Sequence, residues 1–193
     1  MMLDKNYWQD RYLNRQTAWD AGQITPPIQT FFDQLEARDC RILIPGCGNA
    51  HEAAYLHNKG FHQVFLCDWA SKPLANFAQQ YPGFPEEHLI CANFFELNEQ
   101  PFDYIIEQTF FCAIAPNKRS YYAEKTAELL IERGQLVGLL FDKVFEQEGP
   151  PFGGTKKEYH TYFDSIYSDV RIEPCYNSIG PRQGAEFFIL ATK

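Results

Sequence analysis

RILIPGCGNAHEAAYLHNKGFHQVFLCD, residues 41–68, passes from a short apolar run through two closely spaced glycines into a helical pattern, and then back to an apolar run. Strand, turn, helix and strand are the simplest reading. RILIP stops at Gly46, HEAAYLHNKG forms a helix closed by Gly60, and VFLC ends at Asp68. The apolar runs are continuous rather than alternating, which fits strands of a parallel sheet covered by helices on both faces.

The same rhythm continues on the C-terminal side. Ser71 is placed to cap a helix through Gln80, HLICA (88–92) reads as a third strand, and FDYIIE (102–107) as a fourth. Pro116 opens a helix expected to reach about Glu132, with Gly134 closing it, and QLVGLLF (135–141) is the fifth strand. A helix in YHTYFDSIY follows, then VRIEPCY and AEFFILAT, which lack a long helix between them and are expected to pair as an antiparallel hairpin at one edge. On the N-terminal side, residues 4–14 form a short helix with Trp8 and Tyr12 one turn apart on one face. A loop with Trp19 and Gly22 leads to Pro26-Pro27, which opens a helix carrying Ile28, Phe31, Phe32 and Leu35. The fold class is therefore α/β, one doubly wound and mostly parallel sheet, with residues 1–38 as a helical extension and 39–193 as the core of a single domain.

Composition narrows the function. The formal net charge of −8 and the scattered basic residues, with Lys156-Lys157 the only adjacent lysines, argue against nucleic acid. No apolar run reaches the length of a membrane span, and the polar, aromatic N-terminus carries no secretory pattern, so a cytoplasmic protein is expected. The six cysteines (40, 47, 67, 91, 112, 175) show no CxxC pairing, and the five histidines (51, 57, 62, 88, 160) are not at metal-ligand spacing with them. Reduced thiols and no metal are expected, with Cys40, Cys67 and Cys91 at the ends of buried strands. Aromatic residues make up 16% of the chain, enough to line a pocket for an organic ligand as well as fill a core.

In a doubly wound sheet, ligands bind beyond the carboxyl ends of the strands where the strand order reverses. Gly46 and Gly48 let the chain turn tightly there and leave room against the main chain, while the next helix offers unpaired amides. Asp68, twenty residues after Gly48, can accept both hydroxyls of a ribose. A turn that merely needs positive φ, and an acid that merely caps a helix, would explain these residues separately. Dinucleotide sites read GxGxxG, whereas His51 stands at the third position here. That suits S-adenosylmethionine (SAM), which has no pyrophosphate, better than NAD, although an NAD-type oxidoreductase stays open at this point.

Separated motifs then carry a resemblance. YWQDRY followed by TAWDAGQ, ILIPGCG, CANFFEL, FDYIIEQTFFCAIAP and EGPPFGG occur in one order along nearly the whole chain. Together they resemble the thiopurine S-methyltransferase family, in the branch that holds thiol and halide methyltransferases. The resemblance implies a class I methyltransferase fold of seven strands with the last antiparallel, and transfer of a methyl group from SAM to a small soft nucleophile, a thiol before a halide. S-adenosylhomocysteine would be the spent cofactor. It implies that Pro45, Gly46 and Gly48 pass the methionine and ribose, that Asp68 takes the ribose diol, and that Asn93 and Phe94 frame the adenine. Trp8, Tyr12 and Trp19 would close over the sulfonium. Phe110, Phe111, Pro151 and Phe152 would form the acceptor walls.

Two departures bear on the acceptor. Asn93 stands where many relatives carry Asp, and Glu107-Gln108 stands where several carry Asp-Arg. The missing cation disfavours an anionic thiopurine and leaves neutral thiols, thiolates or small anions, with Arg182 as a possible substitute cation or a solvated loop residue. Glu107 is the candidate for orienting the site and the cofactor, or for acting as a base. Cys112 and Cys47 read as buried thiols, and His51 as facing solvent. The partner expected is a small-molecule acceptor, the assembly a monomer or weak dimer, and a non-catalytic SAM-binding protein the reading from another class.

Overall fold

Residue-by-residue alternation divides each central strand between two cores. In the computed structural model, which describes residues 2–193, strand β1 (Ile42–Pro45) sends Leu43 to one face and Ile42 and Ile44 to the other. Strand β4 (Phe102–Gln108) does the same with Ile105 and Ile106, and all of these side chains are almost completely buried. Each face is covered by helices, so alternation inside a continuous apolar run is what a doubly wound sheet requires.

The sheet has seven strands in the order β3-β2-β1-β4-β5-β7-β6. Strands β2 (Val64–Asp68), β3 (Leu89–Cys91) and β5 (Leu130–Phe141) join β1 and β4 in parallel, while β7 (Glu186–Thr192) lies antiparallel between β5 and β6 (Asp169–Pro174). The expected hairpin is thus β6–β7, with β6 at the edge. The chain leaves β1 toward β2 on one side, and β4 begins the run to the other side, so the order reverses between β1 and β4.

Helices α3 (His51–Asn58), α4 (Ser71–Gln80), α5 (Arg119–Leu129) and α6 (Lys156–Phe163) provide the crossovers. Gly60, at φ 85°, follows the end of α3 as a left-handed stop. Four sequence expectations need correction. The N-cap of α4 is Ala70, and Ser71 is its first helical residue. No side chain caps the helix, and Asp68 Oδ1 accepts from the N-cap amide, Ala70 N–H, at 2.8 Å. Helix α5 stops at Leu129 rather than near Glu132, and β5 starts at Leu130. Between the pairs Phe102–Leu130 and Tyr104–Gln135 the register shifts, and Arg133 adopts φ 65° in the irregularity. Gly134 therefore does not close a helix. A Cβ there would lie 3.1 Å from the Phe102 carbonyl oxygen, so glycine lets β5 come close to β4. Finally, Cys91 is exposed and Cys40 half-buried, because β3 is an edge strand and Cys40 precedes β1.

The N-terminal extension divides into two parts. Helix α2 (Pro26–Asp33) buries Ile28 and Phe32 against the sheet and belongs to the core. Helix α1 (Lys5–Leu13) buries no residue. Asp4 caps it by accepting from Tyr7 N–H at 2.9 Å, and Gln9 Oε1 accepts from Lys72 N–H at 3.1 Å at the start of α4. That contact sets α1 across the carboxyl ends of the strands.

Candidate active site

Beyond the carboxyl ends of β1, β2 and β4 lies a cavity of about 920 Å³. Its lining joins Trp8, Tyr12 and Trp19 from the extension, Gly46 after β1, Asp68 and Trp69 after β2, and Asn93 to Phe95 after β3. Phe110 after β4, Pro150 to Phe152 from the loop before α6, and Arg182 before β7 complete it. The structure thus brings together most of the residues singled out in the sequence, although they span the chain.

At the β1 end the backbone dominates. Gly46 and Gly48 have φ of 57° and 52°, a conformation that side chains with a Cβ disfavour. Space requires them as well. A Cβ on Gly46 would fall 2.3 Å from the Phe110 ring, and one on Gly48 would fall 2.7 Å from the Tyr12 hydroxyl. The two glycines therefore let aromatic rings from distant segments close against the turn. Gly48 N–H donates to Asp68 Oδ2 at 3.0 Å, so the carboxylate ties the ends of β1 and β2 together. Burial pushes the Asp68 carboxyl up to about 6, against the opposing effect of the Gly48 and Ala70 amides. Burial, and the charge of Asp68, push the Tyr12 hydroxyl above its ordinary range, so it is a neutral donor at any working pH.

The three rings of the extension pack on one another rather than into the core. Trp19 meets Trp8 edge-on at a centroid distance of 5.7 Å and Tyr12 at 5.9 Å. The adjoining Asp20 accepts from Gly22 N–H and Asn49 Nδ2, and His51 Nε2 lies 2.7 Å from its Oδ1. Burial opposes ionisation of Asp20, but these hydrogen bonds and the His51 charge hold its carboxyl below the usual range. His51 is therefore engaged with the extension, in contrast to the solvent-facing expectation. On the other side, Arg182 Nη2 donates to the Trp19 carbonyl, and its Nη1 contacts Glu186 Oε1 at 3.4 Å. Arg182 stands in the cavity wall with much of its hydrogen-bonding capacity already committed.

Glu107, the candidate base, is 1% exposed and does not line the cavity. Oε1 accepts from both Phe110 and Phe111 N–H at 2.8 Å, and Oε2 accepts from the Tyr122 hydroxyl. Burial raises its carboxyl to about 7, against those three donors. Its position is that of an orienting group. It pins the turn after β4, where Thr109 has φ 61°, and so fixes the Phe110 ring. Phe111, expected in the acceptor wall, is instead core. It is 1% exposed, packs on Tyr122, Tyr159 and Phe163, and lies apart from the cavity lining. Adjacent residues on a tight turn point opposite ways, and Phe110 took the cavity side. Pro45 is buried at the end of β1, and Gly48 faces a small recess with Asp20 and His51 rather than the main cavity.

Asn93 Oδ1 accepts from Phe95 N–H at 3.2 Å, and its amide donates to Glu96 at 2.8 Å. Sequence reasoning missed several participants. Trp69, directly after Asp68, and Phe95, directly after Phe94, were within reach of the motifs already noticed. Asp20 and Tyr122 gave no local signal, because the side-chain partners of Asp20 lie 29 and 31 residues away and that of Tyr122 lies 15 away.

A glycine turn opening on a carboxylate-tipped second strand, roofed by aromatic rings on a sheet with an antiparallel seventh strand, is the architecture of the class I methyltransferases. The sequence model of the family described as thiopurine S-methyltransferase matches residues 3–182, and the chain belongs to that family. It is 29% identical over 192 residues to thiocyanate methyltransferase 1 of Brassica oleracea, covering 95% of this chain and 83% of that protein. To the probable thiol methyltransferase 2 of Arabidopsis thaliana it is 27% identical over 184 residues, covering 93% and 81%. Among solved structures, the 1,6-didemethyltoxoflavin N1-methyltransferase of Burkholderia thailandensis, with S-adenosylhomocysteine bound, superposes with a TM-score of 0.73. It covers 98% of this chain and 86% of that one at 16% identity, a likeness of fold. The family decides between the two cofactors the glycine turn left open, in favour of SAM over a pyridine nucleotide. No helix among the described residues is long and apolar enough to cross a membrane.

Proposed function

We propose that this methyltransferase acts on sulfur, converting a small thiol to its methyl sulfide. The observation that carries this reading is that one cavity is lined both by Asp68, which would hold the cofactor, and by Phe110, Pro151 and Phe152, which would face the acceptor. The names of the thiol and thiocyanate methyltransferases among its relatives point the same way.

The cavity fits the cofactor on three counts: glycines that keep side chains off the turn, a buried carboxylate with acceptor capacity beyond its two amide bonds, and aromatic walls. Asp68 would hold the ribose hydroxyls, Asn93 and Phe94 the adenine, and Trp8, Tyr12 and Trp19 would cover the sulfonium end. Pro45 and Gly48 shape the turn from behind. When bound, SAM supplies an already activated methyl carbon on a cationic sulfur.

The chain's own work is then to orient and to keep water out. Orientation of two reactants can lower a barrier by about 7–11 kcal/mol when the geometry is good. Glu107 contributes by fixing the peptide groups of Phe110 and Phe111, and thereby the acceptor wall. No proton needs to reach it, since a thiol that ionises near neutral pH arrives as the thiolate. Residues 2–25 act as the cover in this reading, with the Trp19–Asp20 elbow clasped by Asn49 and His51 on one side and Arg182 on the other.

Incubation with SAM and either thiophenol or hydrosulfide, with methyl phenyl sulfide or methanethiol followed by mass spectrometry, tests the assignment. Formation of the S-methylated product at a rate above the uncatalysed background is expected. Binding of SAM without transfer to either thiol would support a sensor instead, and methylation of iodide alone would move the acceptor to a halide.

A further inference from the structure

The loop that contributes Pro151 and Phe152 to the cavity has no regular structure of its own, yet its backbone is held at several points. Phe152 N–H donates to the Cys112 carbonyl at 2.7 Å, and Gly154 bridges to Asp142 and Lys143 after β5. A Cβ on Gly153 would fall 1.5 Å from the Lys143 carbonyl oxygen, so only glycine fits there. The remaining anchor is Arg119, the first residue of α5, 1% exposed. Its Nη2 donates to the Phe152 carbonyl at 2.9 Å and the Gly153 carbonyl at 3.0 Å, and its Nη1 to Glu158 Oε1 at 2.8 Å. The guanidinium lies 4.8 Å from the Phe111 ring centroid, and Glu158 is itself held by the Tyr162 hydroxyl at 3.0 Å.

A fully buried cation is a costly way to fill space. Nε has no partner, and the single compensating carboxylate is more than a third exposed. An apolar side chain of the same volume would cost less if packing were all that mattered. What the guanidinium does, and an apolar group cannot, is hold two consecutive carbonyls and a carboxylate in one planar fork. Those carbonyls belong to Phe152 and its neighbour, on the strip of chain that walls the acceptor end. Phe111 links the two anchors, since its ring packs on the Arg119 guanidinium and its amide donates to Glu107.

We propose that Arg119 is a positioning residue for the methyl acceptor, setting the place of Pro151 and Phe152 while leaving the cofactor end untouched. This rests on the thiol-methylation reading above. The acceptor most affected is one large enough to touch the wall, an aromatic thiol rather than hydrosulfide.

The test is steady-state methylation of thiophenol and hydrosulfide by the wild type and Arg119→Lys, with calorimetric affinity for S-adenosylhomocysteine on the same preparations. Lysine keeps the charge but not the fork. The expected result is a rise of about tenfold or more in the thiophenol KM, a smaller rise for hydrosulfide, and cofactor affinity within about twofold of the wild type. Should Arg119→Lys not fold, Phe152→Ala, which removes the ring whose backbone carbonyl Arg119 holds, is expected to give the same thiophenol-selective rise. An unchanged thiophenol KM in the variant that folds overturns the inference. So does loss of cofactor affinity, turnover and melting temperature in parallel, which would mark Arg119 as structural only. A wild type that methylates neither thiol overturns the acceptor reading, and the role of Arg119 with it, whereas an active wild type with an indifferent variant overturns the role alone.

Discussion

In the site proposed above, the cofactor end and the acceptor end are built from different materials. At the cofactor end, β1 and β2 stop beside each other, two left-handed glycines turn the backbone, and one carboxylate bonds the neighbouring amides at 3.0 and 2.8 Å. The turn and its carboxylate lie within the 28 residues from Arg41 to Asp68. At the acceptor end the wall is a turn after β4 and a loop before α6, and each depends on a buried charged side chain, Glu107 or Arg119. Backbone geometry is intrinsic to the sequence around it, while Arg119 works only if partners 33 to 39 positions away arrive. The first end can therefore be inherited by a family with many acceptors, and the second can be retuned by changing what the charges hold.

The largest effect that would break this contrast is at Asp68. Replacement by alanine leaves the Gly48 and Ala70 amides without their carboxylate and removes the ribose acceptor. Affinity for S-adenosylhomocysteine should fall by about 100-fold, some 2.7 kcal/mol, by calorimetry. A loss under about fivefold would show that the turn alone makes the cofactor end.

Glu107→Gln should sharpen the other side of it. The amide can accept from Phe110 and Phe111, but it carries no charge, and turnover of thiophenol should drop by about tenfold with cofactor affinity nearly unchanged. The sign of the pH effect follows from linkage. The folded Glu107 carboxyl sits at about 7, above the ordinary 4.5, because burial disfavours the charged form. Its contribution to stability is therefore most favourable below 4.5, declines as pH rises through this window, and is constant above about 7. The glutamine variant lacks that decline, so the melting temperature of the wild type minus that of the variant should shrink between pH 4.5 and 7. A difference that stays flat over that range would mean the buried carboxyl is held charged. Asp68 declines in the same sense toward about 6 but is common to both proteins and cancels in the subtraction.

A smaller effect separates the cover from both ends. Helix α1 buries nothing, so Trp8→Ala should leave the melting temperature of the free protein within about 2 °C. If the indole faces the sulfonium, the variant should lose affinity for SAM by roughly 2- to 30-fold more than it loses for the neutral S-adenosylhomocysteine. Equal losses for the two would make Trp8 a packing residue of the Trp8–Trp19 pair.

The same contrast explains what could be read before any coordinates. The strands, the glycine turn and Asp68 were legible because each announces itself within a few residues through apolar runs, glycine spacing and strand ends. The boundary between α5 and β5 was not, because leucine, isoleucine and glutamate at 129–132 satisfy a helix, and pairing with β4 and the C-terminal residue decides otherwise. Phe110 and Phe111 were indistinguishable in sequence. The turn that the carboxylate beneath them fixes sends Phe110 into the cavity and Phe111 into the core, and nothing local to either residue announces it. Arg119 was invisible as a site residue, since its partners stand 33 to 39 positions away.

Cys112 tests how far the acceptor end is purely a matter of placement. It lies at the end of the Glu107 turn, its carbonyl holds Phe152, and a thiol beside a methyl-transfer site invites a covalent role. The side chain argues otherwise. Sγ donates to the Thr109 carbonyl at 3.2 Å, and burial pushes the thiol up to about 12, with the Glu107 charge adding to the effect. At neutral pH that group is protonated and a poor nucleophile. Cys112→Ala keeps the backbone carbonyl that anchors the loop, so kcat for thiophenol should stay within about twofold, with a melting-temperature drop of a few degrees from the lost packing. A loss of activity of about 100-fold or more would place an intermediate on the enzyme itself, and orientation of a free thiolate would no longer account for the reaction.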